Sequence, residues 1–270
     1  MIIGKNFFIS EMPKTGTTFL RSYFKKHKNI KLTMHHDTVE VNLTYNLLKK
    51  GYRISTIRSP YTWYLSFWRW SCIKKKKSPL YSDLTSRRLK IKRYKFSFKS
   101  IPFFVTQITK NINNLKILFS DVNSKDNFNK FLTIMLNTKY KNYISSDYSF
   151  INNENLGYMS FFFITQNVLI KDYKILYNSN KNLNNILKII DSKVYTNQYF
   201  KTENLTNDLK KFLEKNKFKI KKLNNTEKNS TSSKSENYLK FFTKKNLKLI
   251  EKKEKYLFEK FNYKKLSNEI

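Results

Sequence analysis

Alanine is absent from the 270 residues, glycine and proline occur four times each, and cysteine occurs once. With Cys72 alone, an internal disulfide and a metal site built on several thiolates are both excluded. No run approaches the roughly 18 apolar residues of a membrane-crossing helix. Met1 to Asn6 leads into an apolar run without the long hydrophobic stretch of a secretion signal. Together these absences predict a soluble, cytoplasmic protein.

Acidic residues are also scarce, 19 against 54 Lys and Arg, for a formal net charge of +35. A surface that basic suits nucleic acid, anionic membrane, or acidic small molecules and glycans. A compositional cause competes with these. Lys, Asn, Ile, Phe and Tyr crowd the chain, as coding drift toward AT-rich codons would produce, and the lysines are spread along every segment. Apolar residues at 40% and aromatics at 16% are too many for a disordered chain. A length of 270 residues gives one domain, 1–270, as the default expectation. In such a composition the scarce residues carry information, and Pro13, Gly16, Arg58 and Pro60 fall in just two segments.

Hydrophobic spacing predicts a strand over Lys5 to Ser10, a helix from Thr17 to Lys26, a second helix from Thr38 to Lys50 and a strand from Tyr52 to Ile57. A further helix opens near Tyr61. This alternation predicts an α/β fold of three layers with a central parallel sheet. Farther on, the spacing gives a helix over Asp126 to Leu136, a strand over Val194 to Phe200 and a helix over Thr206 to Lys217. A basic stretch at about 74–110 reads as an insertion, 224–236 as a polar loop, and 240–261 as one amphipathic C-terminal helix. The aromatic stretches Trp63 to Trp70 and Tyr158 to Phe163 are either core or the lining of an acceptor cleft.

The loop Pro13-Lys14-Thr15-Gly16-Thr17-Thr18 joins the first strand to the first helix. Backbone amides at such a helix start, with the helix dipole behind them, suit an anionic group. Alone, the loop is equally consistent with an ordinary strand-to-helix turn capped by threonines. A nucleoside-triphosphatase loop places its Lys directly after the second Gly; here Thr17 follows Gly16, and Lys14 precedes it. A second segment, Thr56 to Trp68, ends a strand with Arg58 and carries Ser66 eight residues on, about two helical turns away. Arg58 offers a planar fork suited to phosphate, and Pro60 is well placed at a helix start.

The first loop resembles the 5′-phosphosulfate loop of the sulfotransferases that use 3′-phosphoadenosine 5′-phosphosulfate (PAPS). Arg58 and Ser66 are similar to the pair that holds the 3′-phosphate in that family, and Lys201 to Leu209 is similar to its Glu-x-Leu segment. Where the family often has another Arg after the Pro, this chain has Trp63 or Tyr64. The resemblance implies a P-loop-like sulfotransferase architecture and transfer of a sulfuryl group from PAPS to an acceptor hydroxyl, without a metal. It implies that Lys14 contacts the bridging oxygen of the donor, that Thr15, Gly16, Thr17 and Thr18 hold the 5′ side, and that Arg58 and Ser66 hold the 3′-phosphate. By analogy the acceptor is a carbohydrate or lipid-linked glycan, with peripheral contact to anionic membrane compatible. Among the three histidines, His27 reads as a surface residue, while His35 and His36 follow the first helix; His36 is favoured as the base, with His35 and Glu40 as alternatives. The competing readings are a P-loop-like kinase or NTPase, and a basic nucleic-acid-binding protein.

Overall fold

The computed structural model describes residues 1–33, 51–89, 100–151, 154–178, 182–216 and 238–268. The chain forms two units, each assembled from three stretches: Met1–Ser59, Phe162–Tyr173 and Lys188–Ser230 in the first, and Pro60–Phe161, Lys174–Leu187 and Thr231–Ile270 in the second.

The first unit is built on a five-stranded mixed sheet of β1 (Ile2–Ile3), β2 (Phe7–Ser10), β3 (Lys31–Leu32), β4 (Tyr52–Ile57) and β5 (Gln198–Lys201), in the order β3-β1-β2-β4-β5. All four residues of β2 are buried, as expected of a strand covered on both faces. The pairs β2–β4 and β4–β5 are parallel, whereas β1 is antiparallel to both β2 and β3. The all-parallel expectation therefore fails at β1. Only Gly4 to Asn6 separates β1 from β2, and a crossover to a parallel partner needs about a dozen residues. A side chain at Gly4 would meet the Phe7 ring at 2.1 Å, so the tight return depends on glycine.

One face of the sheet buries Phe7, Ile9, Ile54 and Phe200 against Leu20, Tyr23 and Phe24 of the Thr17–Phe24 helix and Leu209, Phe212 and Leu213 of the Leu205–Lys215 helix. On the other face Phe8 packs against Tyr195, Tyr199 lies near Phe163, and Ser10 Oγ donates to Gln166 O at 2.9 Å. The alternation within β2 and β4 thus sends apolar side chains both ways. The unit is α/β, with covering segments on both faces of its sheet.

The second unit is helical. Its Pro60–Ile73 helix buries ten of fourteen residues, including Trp63 and Trp68, so the aromatic run Trp63 to Trp70 is core up to Trp68, while Trp70 is half-buried. Trp68 Nε1 donates to Leu118 O at 2.8 Å, which satisfies the indole once it is buried. The Lys125–Leu136 helix turns Phe128, Phe131, Leu132 and Met135 inward, as its spacing predicts. Tyr158, Met159 and Phe161 are buried as well. Within the basic stretch, a Pro79–Thr85 helix and an Ile101–Thr109 helix bury Leu80, Leu84 and Phe103, so its described parts contribute to the core. Residues 90–99, the helix expected over Thr38 to Lys50 and the loop expected at 224–236 lie outside the described residues.

The C-terminal helix expected over 240–261 is instead two, Lys244–Lys253 and Lys255–Phe261, meeting at Glu254. Glu254 is fully buried and accepts hydrogen bonds from Met159 N (3.0 Å), Ser160 N (2.8 Å), Ser160 Oγ (2.6 Å) and the Tyr64 hydroxyl. A side chain at Gly157 would stand 2.1 Å from Glu254 Oε1. The break is the local cost of turning this carboxylate inward.

Candidate functional site

Parallel strands β2, β4 and β5 all end at one edge of the first unit, where the loop after β2 meets the ends of β4 and β5. The loop is tied down before it can present anything. Arg21, in the Thr17–Phe24 helix, grips buried Glu11 through Nε at 2.7 and 2.9 Å, and its Nη1 donates to Thr33 O at 2.8 Å. Thr15 is fully buried. Its hydroxyl donates to Met12 O at 2.6 Å and lies 2.5 Å from Thr56 Oγ1 in β4. A hydroxyl has one proton. Since Thr15 gives its own to the Met12 carbonyl, Thr56 is the donor to Thr15, and Thr56 in turn accepts from Met12 N at 3.4 Å. The Thr15 side chain therefore locks the loop to β4.

Two residues of the loop have left-handed backbone, Lys14 (φ 64°) and Gly16 (φ 83°). Such a conformation strains a residue that has a side chain, and strain of this kind concentrates at functional positions. Gly16 is the N-cap residue of the Thr17–Phe24 helix, which has no side-chain cap. A left-handed Gly16 followed by a helical residue is a backbone arrangement suited to turning successive N–H groups toward one anion. Phe19 N already donates to Gly16 O at 3.1 Å, so the amides available are those before Phe19. Closeness also demands glycine here, because a Cβ at Gly16 would lie 2.3 Å from Leu205 Cδ2. Thr17 is buried, while Thr18 is exposed on the outer side of the first turn.

Arg58 follows directly on β4. Its Nη1 donates to Lys14 O at 3.2 Å, joining the two sequence motifs in space. Burial, with the Arg58 guanidinium adding to it, brings the Lys14 ammonium from 10.5 down to about 8. Two neighbouring cations, each partly withdrawn from water, gain from an anion that meets both. Lys14, Thr15, Gly16, Thr17, Thr18 and Arg58 are thus brought together at one sheet edge. Ser66 is buried in the Pro60–Ile73 helix of the second unit. His35, His36 and Glu40 lie outside the described residues. His27, expected at the surface, is half-buried against Tyr23 and Phe24 at the end of the first helix.

Sequence reasoning gave no role to Thr56, Thr202, Glu203 or Leu205. Thr202 Oγ1 donates to Ile57 O at 3.0 Å, and Ser59 N donates to Glu203 Oε1 at 2.7 Å. For Thr202, Glu203 and Leu205 the one signal was the Glu-x-Leu likeness over Lys201 to Leu209, and for Thr56 there was none. Among the described residues no group of three or more His, Cys, Asp or Glu is placed to hold a metal ion, and no helix is long and apolar enough to cross a membrane. Together the fold and this edge define an α/β protein with paired cations at an uncapped helix start. No protein-family model, curated protein or solved structure matches the chain.

Proposed function

We propose that the chain is a sulfotransferase that takes the sulfuryl group of PAPS to an acceptor hydroxyl. The observation that carries this reading is the pairing of Lys14 and Arg58, linked by the bond from Arg58 Nη1 to Lys14 O, beside the uncapped helix start at Gly16. The donor has anionic groups at two ends of one nucleoside, and the residues offer two kinds of anion partner within one edge. Amides at Thr15, Gly16, Thr17 and Thr18 suit its 5′ side, and the Arg58 fork suits the 3′-phosphate. Lys14, placed before the glycine, suits the bridging oxygen at which charge develops.

In the transfer, the acceptor oxygen forms a bond to sulfur while the bond from sulfur to the bridging oxygen breaks. The acceptor's proton passes to a base, for which His36 is the leading candidate from the sequence. The products are the sulfate ester and adenosine 3′,5′-bisphosphate, and Lys14 stabilises the negative charge left on the latter. The protein's contribution is positioning and a fixed positive field. A carbohydrate or lipid-linked glycan as acceptor belongs to the same proposal, as does peripheral contact with anionic membrane.

Thermal unfolding with added nucleotides tests the donor. Adenosine 3′,5′-bisphosphate should raise the melting temperature, and ATP with Mg²⁺ should leave it unchanged. Stabilisation by ATP alone would overturn the reading in favour of a kinase or NTPase. With a working acceptor, Lys14→Ala should lower turnover by about a hundredfold or more.

A further inference from the structure

The segment leaving β5 reaches both halves of the candidate site. The last register pair of the sheet edge is Ile57 with Lys201. Beyond it β4 runs on through Arg58 and Ser59, while the segment after β5 curls into the short Thr202–Asn204 turn. Two side chains of that turn continue the ladder where its backbone departs. Thr202 Oγ1 donates to Ile57 O at 3.0 Å, and Glu203 Oε1 accepts from Ser59 N at 2.7 Å. Arg58 stands between these anchors, so its backbone is held on both sides. Two residues farther on, Leu205 packs close to Gly16, where a Cβ would stand 2.3 Å from Leu205 Cδ2.

We propose that Glu203 is a positioning residue for the nucleotide: by holding the Ser59 amide, it sets the Arg58 guanidinium where it meets the 3′-phosphate. This rests on the sulfotransferase reading above. Glu203 is exposed, so its carboxylate keeps its hydration and adds little to global stability. Its short ionic hydrogen bond fixes direction instead. The bond needs an acceptor oxygen at that reach and no negative charge as such, which separates Gln from Ala at this position.

Binding of adenosine 3′,5′-bisphosphate and of adenosine 5′-monophosphate should be measured for wild type, Glu203→Ala, Glu203→Gln and Arg58→Ala. Glu203→Ala should weaken the bisphosphate by about tenfold, since misplacing a binding group has effects of that order or more. It should leave the monophosphate, which lacks the 3′-phosphate, unchanged. Glu203→Gln should bind both as wild type does. In the ligand-free protein, hydrogen exchange at the Ser59 amide should speed up in Glu203→Ala and stay slow in Glu203→Gln. If Glu203→Ala binds the bisphosphate normally while Arg58→Ala does not, the positioning role is wrong and the donor reading stands. Equal weakening of both nucleotides, or unchanged exchange at Ser59, also overturns it. If wild type does not discriminate the two nucleotides, the donor reading itself fails and takes this proposal with it.

Discussion

At Lys14 two demands oppose each other. The ammonium is depressed from 10.5 to about 8 by burial and then by Arg58, so the folded state disfavours the charge that anion binding needs. A cation whose folded value lies below its unfolded one makes the native state bind fewer protons than the unfolded state across that interval. Stability from this group therefore rises with pH between about 8 and 10.5 and is lowest below 8. Lys14→Met, which keeps the packing without the charge, should raise the melting temperature at pH 7, and the gain should shrink as pH climbs from 8 toward 10.5. The same variant should lose the response to adenosine 3′,5′-bisphosphate. In the wild type, bisphosphate affinity should fall as pH rises through about 8, because the free protein then loses the Lys14 proton. A melting temperature lowered at pH 7 by Lys14→Met would show that the ammonium stabilises the fold, contrary to this account.

At the scale of elements, the second unit is joined by a two-rung ladder. Tyr61 and Tyr64, one turn apart on the Pro60–Ile73 helix, donate to Glu251 on the Lys244–Lys253 helix and to Glu254 at the break that follows it, the first at 2.5 Å. Glu251 also accepts from Leu266 N (3.0 Å), Ser267 N (2.8 Å) and Ser267 Oγ (2.7 Å). Burial pushes its carboxyl up, but these bonds outweigh that and hold it below 4.5. For Glu254, fully buried, burial wins and the carboxyl is raised despite its donors. Removing one donor and removing the acceptor are different experiments. Tyr64→Phe leaves Glu254 with three donors and should cost about 1 kcal/mol. Glu254→Ala strands four buried donors and should cost on the order of 3 kcal/mol or more, read from denaturant unfolding. Equal costs would mean that Glu254 does not organise this junction.

The ladder also shows why the C-terminal break was hidden from sequence reading. Glu254 sits in an amphipathic run as any surface glutamate does, and its reason to turn inward lies at Gly157 and Ser160, 94 residues away for the latter. Strands β2 and β4 and the helix after Gly16 were legible, because buried apolar runs bounded by scarce Gly and Pro leave few alternatives. Strands β1 and β3 are two residues each, too short for any period to register. The candidate site divides in the same way. Lys14, Gly16 and Arg58 stand out by type and spacing. The Thr15–Thr56 lock and the bond between Ser59 and Glu203 span 41 and 144 residues, and nothing local announces them.

For the whole molecule, the charge of +35 is dispersed, and part of it is absorbed inside the fold. Lys110 Nζ donates to Asp83 O at 2.9 Å and Gln107 Oε1 at 2.8 Å, and Lys141 Nζ donates to Ile151 O at 2.7 Å. Burial brings both ammonium groups down to about 8. These lysines serve as caps for backbone carbonyls, a use that fits a chain rich in Lys and short of other residue types. The remaining surface charge should attract polyanions without selectivity, so two kinds of anion binding should separate by their dependence on salt. Binding to duplex DNA should fall steeply with salt, with a log–log slope of about 0.9 for each phosphate neutralised, and it should be indifferent to sequence. Binding of adenosine 3′,5′-bisphosphate should fall much less, because few charges meet it. A double variant, Lys14→Ala with Arg58→Ala, should abolish the second and leave the first within about twofold, since two charges among many change a diffuse field little. Loss of DNA binding in that variant would instead make the Lys14 and Arg58 edge a nucleic-acid surface, and the loop, not the overall charge, would be the feature that explains polyanion binding.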